Sequence, residues 1–205
     1  VAINSGANLN FDRLRYIAER ADLGAGREAL LAVDIPEQQG SFLRFCDALG
    51  PHSVTEFNYR YQGSARAQLF VGFALQAGQE DCSAVIARLG AAGYGVVDMS
   101  GNEMAKLHVR YMIGGVGRGL SDELLFRFEF PERPGALRQF LQSIGAAWNI
   151  SLFHYRNHGS DYGRVLAGIQ VPAEERAEFM RHLRELGYPY TEETANPAYR
   201  NFLAP

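Results

Sequence analysis

Hydrophobic residues in this chain switch between two spacings, and the switch occurs twice in the same order. The run Ala29–Ile35 is rich in β-formers and stops at Pro36. After Gly40, the positions Phe42, Phe45, Cys46 and Leu49 fall at i, i+3, i+4 and i+7, which predicts a one-faced helix. Two strands are predicted next, about Val54–Tyr61 and Gln68–Leu75, with the turn residues Gln62, Gly63 and Ser64 between them. A second helix carries Cys82, Val85, Ile86 and Leu89 in phase, and a short strand follows Gly93 and Tyr94. The order then starts again: strand Leu124–Phe130, helix with Leu137, Phe140, Leu141 and Ile144, and strands Ile150–Arg156 and Arg164–Val171 around the turn 157–161. A helix with Phe179, Met180, Leu183 and Leu186 comes next, and a strand after Gly187 and Tyr188 closes the second unit.

The residues repeat along with the pattern. At a spacing of 95, Pro36 meets Pro131, Glu37 meets Glu132, Gly40 meets Gly135, Phe45 meets Phe140 and Gly50 meets Gly145. At 96, TEFNYRYQGS from Thr55 meets SLFHYRNHGS from Ser151, and Gly72 meets Gly168. At 94, Leu89 meets Leu183, Gly93 meets Gly187 and Asn102 meets Asn196. Order is kept and the gaps fall at predicted loops, so the chain is an internal duplication. Each copy reads β-α-β-β-α-β, an α+β unit of the ferredoxin-like kind. Both helices are expected on one face of an antiparallel sheet, with the other face left for a partner or ligand. Outside the copies, residues 10–21 and 102–112 read as short amphipathic helices, and GGVGRG at 114–119 reads as a flexible linker.

Composition narrows the class without naming a chemistry. With 205 residues, 47% hydrophobic and 21% charged, the chain has ample material for a core. A net charge of −3 argues against nucleic acid or an anionic membrane as partner, and no apolar run is long enough to span a bilayer. Two cysteines, Cys46 and Cys82, on different predicted helices suggest a reducing compartment, so the expected location is cytoplasmic. Of the 20 basic residues only Lys106 is lysine, which makes the other 19 arginine. The chain opens with Val1, in ordinary strand-and-loop sequence, which predicts a piece of a longer protein.

Catalytic constellations are missing from the sequence. GGVGRG follows a helical pattern and lacks the Gly-Lys-Ser/Thr of a phosphate loop. His154 and His158 fall on a strand and its turn, where a four-residue spacing does not aim both at a metal, so no metal is expected. Neither cysteine has a neighbouring histidine that would mark a nucleophile. A binding signal remains. In both copies a strand runs through Pro-Glu into a glycine that opens a helix, whose first N–H groups and dipole favour an anion. A carboxylate near Gly40 and Ser41, or Gly135 and Ala136, would leave Glu37 or Glu132 for an ammonium group. Phe57 and Tyr59, or Phe153 and Tyr155, alternate onto one face that suits an apolar side chain. Together these would fit a free amino acid. The competing reading is that Pro-Glu and glycine only cap the helix and the aromatics are core.

With those residues in view, the chain resembles the C-terminal regulatory region of biosynthetic threonine deaminase, essentially from end to end. The stretches that carry the resemblance are VAINSGAN, REALLAVDIPEQQGSF, SVTEFNYRY, GYGVVDMSGNEMAKLHVRYM, FEFPERPGAL, WNISLFHYRNHGSDYGRVLAG and NPAYRNFLAP. The resemblance implies two ACT-like βαββαβ subdomains packed side by side, at 27–113 and 123–205, joined by 114–122 and preceded at 1–26 by the tail of a catalytic domain and a connecting helix. It implies isoleucine as feedback inhibitor and valine as opposing activator. The partners would be the chain's own catalytic domain and further copies of the protein, tetrameric in the family. It also implies that this stretch is not itself an enzyme and holds no cofactor. The lyase domain upstream would use pyridoxal phosphate to convert threonine to 2-oxobutanoate and ammonia. Ser5 matches the serine that contacts the cofactor's pyridine nitrogen. Carried over, the effector residues are Glu37, Gly40, Ser41, Phe42 and Tyr59 in copy one, and Glu132, Gly135, Ala136, Leu137 and Tyr155 in copy two. The copies differ where Ser41 and Phe42 face Ala136 and Leu137, so which of them prefers which effector stays open. The alternative is an RNA-binding module, since the same βαββαβ order hosts sheets whose aromatics stack bases. It would need basic surface around exposed aromatics.

Overall fold

A computed structural model describes residues 24–75, 81–112, 119–131, 135–145, 147–157 and 162–205, together with residues 14, 17, 18, 21, 22, 114, 116 and 117. The first copy comprises β1 (Glu28–Pro36), α1 (Ser41–Leu49), β2 (Val54–Arg60), β3 (Arg66–Ala74), α2 (Cys82–Ala91) and β4 (Gly95–Asp98). The second comprises β5 (Glu123–Pro131), α4 (Ala136–Ile144), β6 (Asn149–Arg156), β7 (Tyr162–Gln170), α5 (Arg176–Leu186) and β8 (Tyr190–Glu192). Between the copies lies α3 (Glu103–Leu107) and after them α6 (Pro197–Phe202). The predicted amphipathic helix at 102–112 is thus broken: α3 ends at Leu107, the next residue, His108, leaves helical space with a φ of −130°, and a 3-10 turn, Val109–Tyr111, follows. The predicted helix at 10–21 and Ser5 fall outside the described residues, apart from single positions.

The eight strands form one antiparallel sheet in the order β4-β1-β3-β2-β6-β7-β5-β8. Within each copy this is the ferredoxin-like order, and the two copies meet edge to edge. β2 pairs β6 with Glu56 opposite Arg156, Phe57 opposite Tyr155 and Tyr59 opposite Phe153. The ladder continues past the strand ends through Tyr61 N–H to Ser151 O at 2.7 Å and Asn157 N–H to Thr55 O at 2.8 Å. Each copy alone would expose β2 or β6 as an unpaired edge, and joining them removes that liability.

On one face the four long helices bury their apolar stripes against both halves of the sheet. Phe42, Phe45, Cys46 and Leu49 of α1 and Leu137, Phe140, Leu141 and Ile144 of α4 all belong to a single core cluster. Rings cross the seam within it: Phe57 and Phe153 lie 5.5 Å apart, edge to face.

The other face is not left open as the sequence suggested. Asn102 caps α3 by accepting from Ala105 N–H at 3.0 Å, and Asn196 caps α6 by accepting from Ala198 N–H at 2.9 Å. These matching asparagines carry the repeat one helix further. α3 covers Leu30 and Phe70, while α6 lays Tyr199 on Leu125 and Leu152. Beneath them are buried charges. Glu28 accepts from Thr55 Oγ1 at 2.6 Å and from Arg110 at 3.2 Å, and Arg110 Nε also donates to Glu56 at 2.9 Å. In copy two Glu123 accepts from Ser151, from Tyr199 hydroxyl at 2.6 Å, and from Arg60, a residue of copy one. Arg60 also donates to Leu203 O at 2.7 Å, and the Arg156 guanidinium of copy two lies 4.4 Å over the Tyr111 ring of copy one. A buried charge is tolerable only when paired, so each copy depends on the other for its charge balance.

Two glycine pairs have their reason here. A Cβ on Gly72 would meet Thr55 Oγ1 at 2.6 Å and Glu28 Oε1 at 3.3 Å, and one on Gly168 would meet Glu123 Oε1 at 2.6 Å. Both leave room for a buried glutamate. The linker glycines also serve contact: a Cβ on Gly114 would meet Arg60 Cβ at 2.7 Å, and one on Gly117 the Arg60 guanidinium at 2.8 Å. The expected flexible linker is therefore, at these two residues, a close cover over Arg60.

Candidate functional site

The glycines that open α1 and α4 are its starting point. Pro36 and Pro131 end their strands, and Gly40 and Gly135 turn the chain with φ of 77° and 83°, a left-handed conformation that glycine adopts without strain. Neither cap residue supplies a side-chain hydrogen bond, and in α1 the Ser41 N–H donates to Gln38 O at 3.2 Å; the first-turn N–H groups of a helix have no intrahelical acceptor.

Because the copies sit side by side, each glycine turn faces the end of the other copy's first helix, and two clefts related by the duplication result. The first is lined by Gln38, Gly40, Ser41, Phe42 and Tyr59 of copy one, and by Leu141, Gly145, Asn149 and Ile150 of copy two. The second is lined by Gly135, Leu137, Arg138, Tyr155 and Asn157 of copy two, and by Cys46, Asp47, Gly50, Ser53 and Val54 among others of copy one. Sequence reasoning placed each site within one copy and missed these partner-copy walls. The repeated Gly50 and Gly145 mark both of them, but only the edge-to-edge pairing of β2 with β6 brings them to the opposite glycine turn.

The clefts differ in free volume, about 20 Å³ in the first against about 640 Å³ in the second. The first has room for about one water molecule. The second lies within the range of small-molecule sites, roughly 300–1,000 Å³. In the first, the Phe42 ring lies 4.6 Å from Tyr59 and 5.4 Å from Phe57, edge to face, and Leu141 stands where the second cleft has the smaller Cys46. Leu137 stands at the place matching Phe42, beside Gly135.

Of the expected effector residues, Gly40, Ser41, Phe42 and Tyr59 come together in the first cleft and Gly135, Leu137 and Tyr155 in the second. Ala136 is buried beneath the turn, and Glu132 falls outside the described residues. Glu37 is already hydrogen-bonded within its own copy. Its carboxylate accepts from the backbone N–H of Gln62 at 2.6 Å and of Ser64 at 2.7 Å, and from Tyr59 hydroxyl at 3.2 Å. It clamps the β2–β3 turn to the end of β1. Burial, with Glu37 alongside, raises the Tyr59 hydroxyl above its ordinary range and keeps it a neutral donor. Tyr155 hydroxyl instead donates across the seam to Val54 O at 3.3 Å.

The thiol of Cys46, in the wall of the larger cleft, is pushed up to about 12 by burial, and that of Cys82 to about 11. Neither is a nucleophile at neutral pH. Nothing among the described residues fits pyridoxal phosphate: Lys106, the lone lysine, stands on the short α3 with its ammonium 2.6 Å from Glu103. The aromatics of β2 and β6 face the helices and are buried, so they offer no stacking surface. A third cavity, about 370 Å³, lies on the opposite face under Met99, Met104 and Met112.

A sequence model described as the C-terminal regulatory domain of threonine dehydratase matches residues 19–109 and 115–203, which is both copies. The chain belongs to this family. It is 54% identical over 204 residues to the L-threonine dehydratase biosynthetic IlvA of Burkholderia multivorans, covering 100% of the chain and 40% of that protein. It is 56% identical over 202 residues to the enzyme of the same name from Escherichia coli, covering 98% of the chain and 39% of that protein. The mitochondrial threonine dehydratase of Saccharomyces cerevisiae is 46% identical over 211 residues, with 99% and 36% covered. The chain therefore spans about 40% of the length of these relatives. The tandem ferredoxin-like, ACT-like fold and the regulatory family expected from the sequence both stand. Nothing in the comparisons supports the RNA-binding alternative. No helix among the described residues is long and apolar enough to cross a membrane.

Proposed function

We propose that this chain is the amino-acid sensor of a threonine dehydratase and that it binds isoleucine as inhibitor and valine as opposing effector. On this reading, effector occupancy adjusts a pyridoxal-phosphate catalytic domain that deaminates threonine, and Ser5 belongs to that domain's cofactor pocket. The observation that carries it is the larger cleft: the donors that open α4 at Gly135 stand beside the apolar Leu137, Val54, Leu49 and Tyr155. The N–H groups suit a carboxylate, and the apolar wall suits a branched aliphatic side chain. Effector control then requires that the ligand bind two arrangements of the parent protein unequally, with a coupling of typically 1–3 kcal/mol. The parent's homo-oligomer, a tetramer on the family resemblance, is the natural setting for those arrangements.

Calorimetric titration of the chain with isoleucine, valine and threonine tests this. Isoleucine or valine should bind more tightly than threonine by about tenfold, because threonine's hydroxyl loses water against apolar walls at ~1–3 kcal/mol. Equal affinity for all three would overturn the assignment.

A further inference from the structure

The larger cleft carries one feature that the smaller lacks. Arg138 Nε donates to Asp47 Oδ1 at 2.6 Å, from the first turn of α4 in one copy to the last turn of α1 in the other. Both side chains line the cleft and each is 48% exposed. Resting on the reading of this cleft as the effector site, we infer that Asp47 and Arg138 read the two charges of a free α-amino acid. The Asp47 carboxylate takes the ammonium group and the Arg138 guanidinium takes the carboxylate.

The two side chains stand at opposite electrical poles. Arg138 lies beside the N–H groups and positive dipole end of α4, so a ligand carboxylate there meets donors from two sources. At the end of α1 the carbonyls of Ala48 and Leu49 are already taken by Arg88, at 2.9 Å and 2.6 Å. The Asp47 carboxylate is therefore the negative group presented to the cleft from that side. An exposed ion pair is weak, so it opens readily when a ligand offers each partner a replacement. A free amino acid offers both on adjacent atoms, and one ion pair is exchanged for two. An amine, a carboxylic acid or a residue within a peptide offers at most one. In the smaller cleft the matching positions are Leu43 and Gln142, neither of them charged. Arg44 there folds back on its own turn, donating to Ser41 Oγ at 3.0 Å.

The test is calorimetry on the full chain and the variants D47N, R138Q and the reversed pair D47R/R138D. The ligands are isoleucine, isoleucinol, which lacks the carboxylate, and 2-hydroxy-3-methylpentanoate, which lacks the ammonium group. The unmodified chain should prefer isoleucine over both analogues by at least tenfold. R138Q should cut the preference over isoleucinol severalfold, leaving the part carried by the α4 N-terminus, and D47N should erase the preference over the hydroxy acid. D47R/R138D restores an ion pair with its poles reversed, so it should melt like the unmodified chain yet bind isoleucine at least tenfold more weakly. If the unmodified chain binds isoleucine and both single variants bind it equally well, or if the reversed pair recovers full affinity, the inference is overturned and the effector reading survives. If the unmodified chain binds no branched-chain amino acid, the effector reading falls and takes this inference with it.

Discussion

Beside Gly40, the Phe42 ring lies edge-on to Tyr59 at 4.6 Å and the cleft holds about 20 Å³; beside Gly135, Leu137 stands in the matching place and the cleft holds about 640 Å³. Both clefts have the same left-handed glycine, the same tyrosine position on the paired central strands, and a wall from the other copy. The differences lie in side-chain choices on a common frame, smaller cleft first: Ser41 against Ala136, Phe42 against Leu137, Leu43 against Arg138, Leu141 against Cys46, and Gln142 against Asp47. Duplication supplied two equivalent places, and side-chain volume and charge have made them unlike.

The most damaging way to break this comparison is to separate the copies, because each cleft needs both. A chain of Glu123–Pro205 alone keeps Glu123 buried while losing Arg60, and breaking a buried pair costs about 3–5 kcal/mol. It also exposes β6 as an edge and cuts a core that spans the seam. We expect this half to lose its cooperative melt by circular dichroism, or to self-associate in sedimentation. A monomer as stable as the whole chain would refute the shared core.

Exchanging the plug sharpens the comparison next. Leu137→Phe should crowd the apolar wall beside Gly135 and weaken isoleucine binding at least tenfold with little loss of stability, read by calorimetry and thermal melting together. Phe42→Leu should cost about 1–3 kcal/mol of core packing and open the smaller cleft. Its titration should gain a weaker second step with isoleucine. A smaller effect is expected from Gly135→Ala. Among the described residues nothing lies within 4 Å of a Cβ there, but the φ of 83° costs an L-residue about 1–2 kcal/mol, so the melting point falls a few degrees.

The pH dependence is smaller again and reports on the seam instead of the clefts. Burial outweighs Arg110 and Arg156 and pushes the Glu56 carboxyl up from 4.5 to about 7. Between those values the folded chain holds a proton that the unfolded chain has released. The stability contributed by that proton is complete below about 4.5 and is lost as the pH rises through about 7. Glu56→Gln should flatten the slope of melting temperature against pH across this window, and an unchanged slope would assign it to other groups.

Much of this architecture was legible in the sequence because it rests on periodicity. The alternation through Phe57 and Tyr59, the i, i+3, i+4 stripe of Phe42, Phe45 and Cys46, and the Pro-to-Gly turns are local signals, and they gave both copies their element order. Pairing between copies is not local. β2 and β6 each read as a strand with one buried face, and nothing in either states that its edge partner is the other. The clefts depend on that pairing, so Asp47, Gly50, Val54 and their counterparts stayed hidden. The bonds of Glu37 were hidden for a related reason. A glutamate after a strand-ending proline looks available to a ligand until the β2–β3 turn folds back and offers it the N–H groups of Gln62 and Ser64. The matching Glu28 and Glu123, each diagonally across from a glycine, Gly72 or Gly168, were a readable signal. An acidic residue opening an apolar strand in both copies, matched by a glycine in both third strands, marks a buried carboxylate with a space kept for it.

The central claim is that an effector enters between the start of α4 and the end of α1, and a crystal structure of the chain grown with isoleucine tests it most directly. The account predicts one isoleucine per chain, its carboxylate at the Gly135 turn and its side chain against Leu137 and Tyr155, with Phe42 still filling the smaller cleft. Isoleucine seated beside Gly40 or under Met104 on the opposite face, with the Gly135 cleft empty, would contradict it.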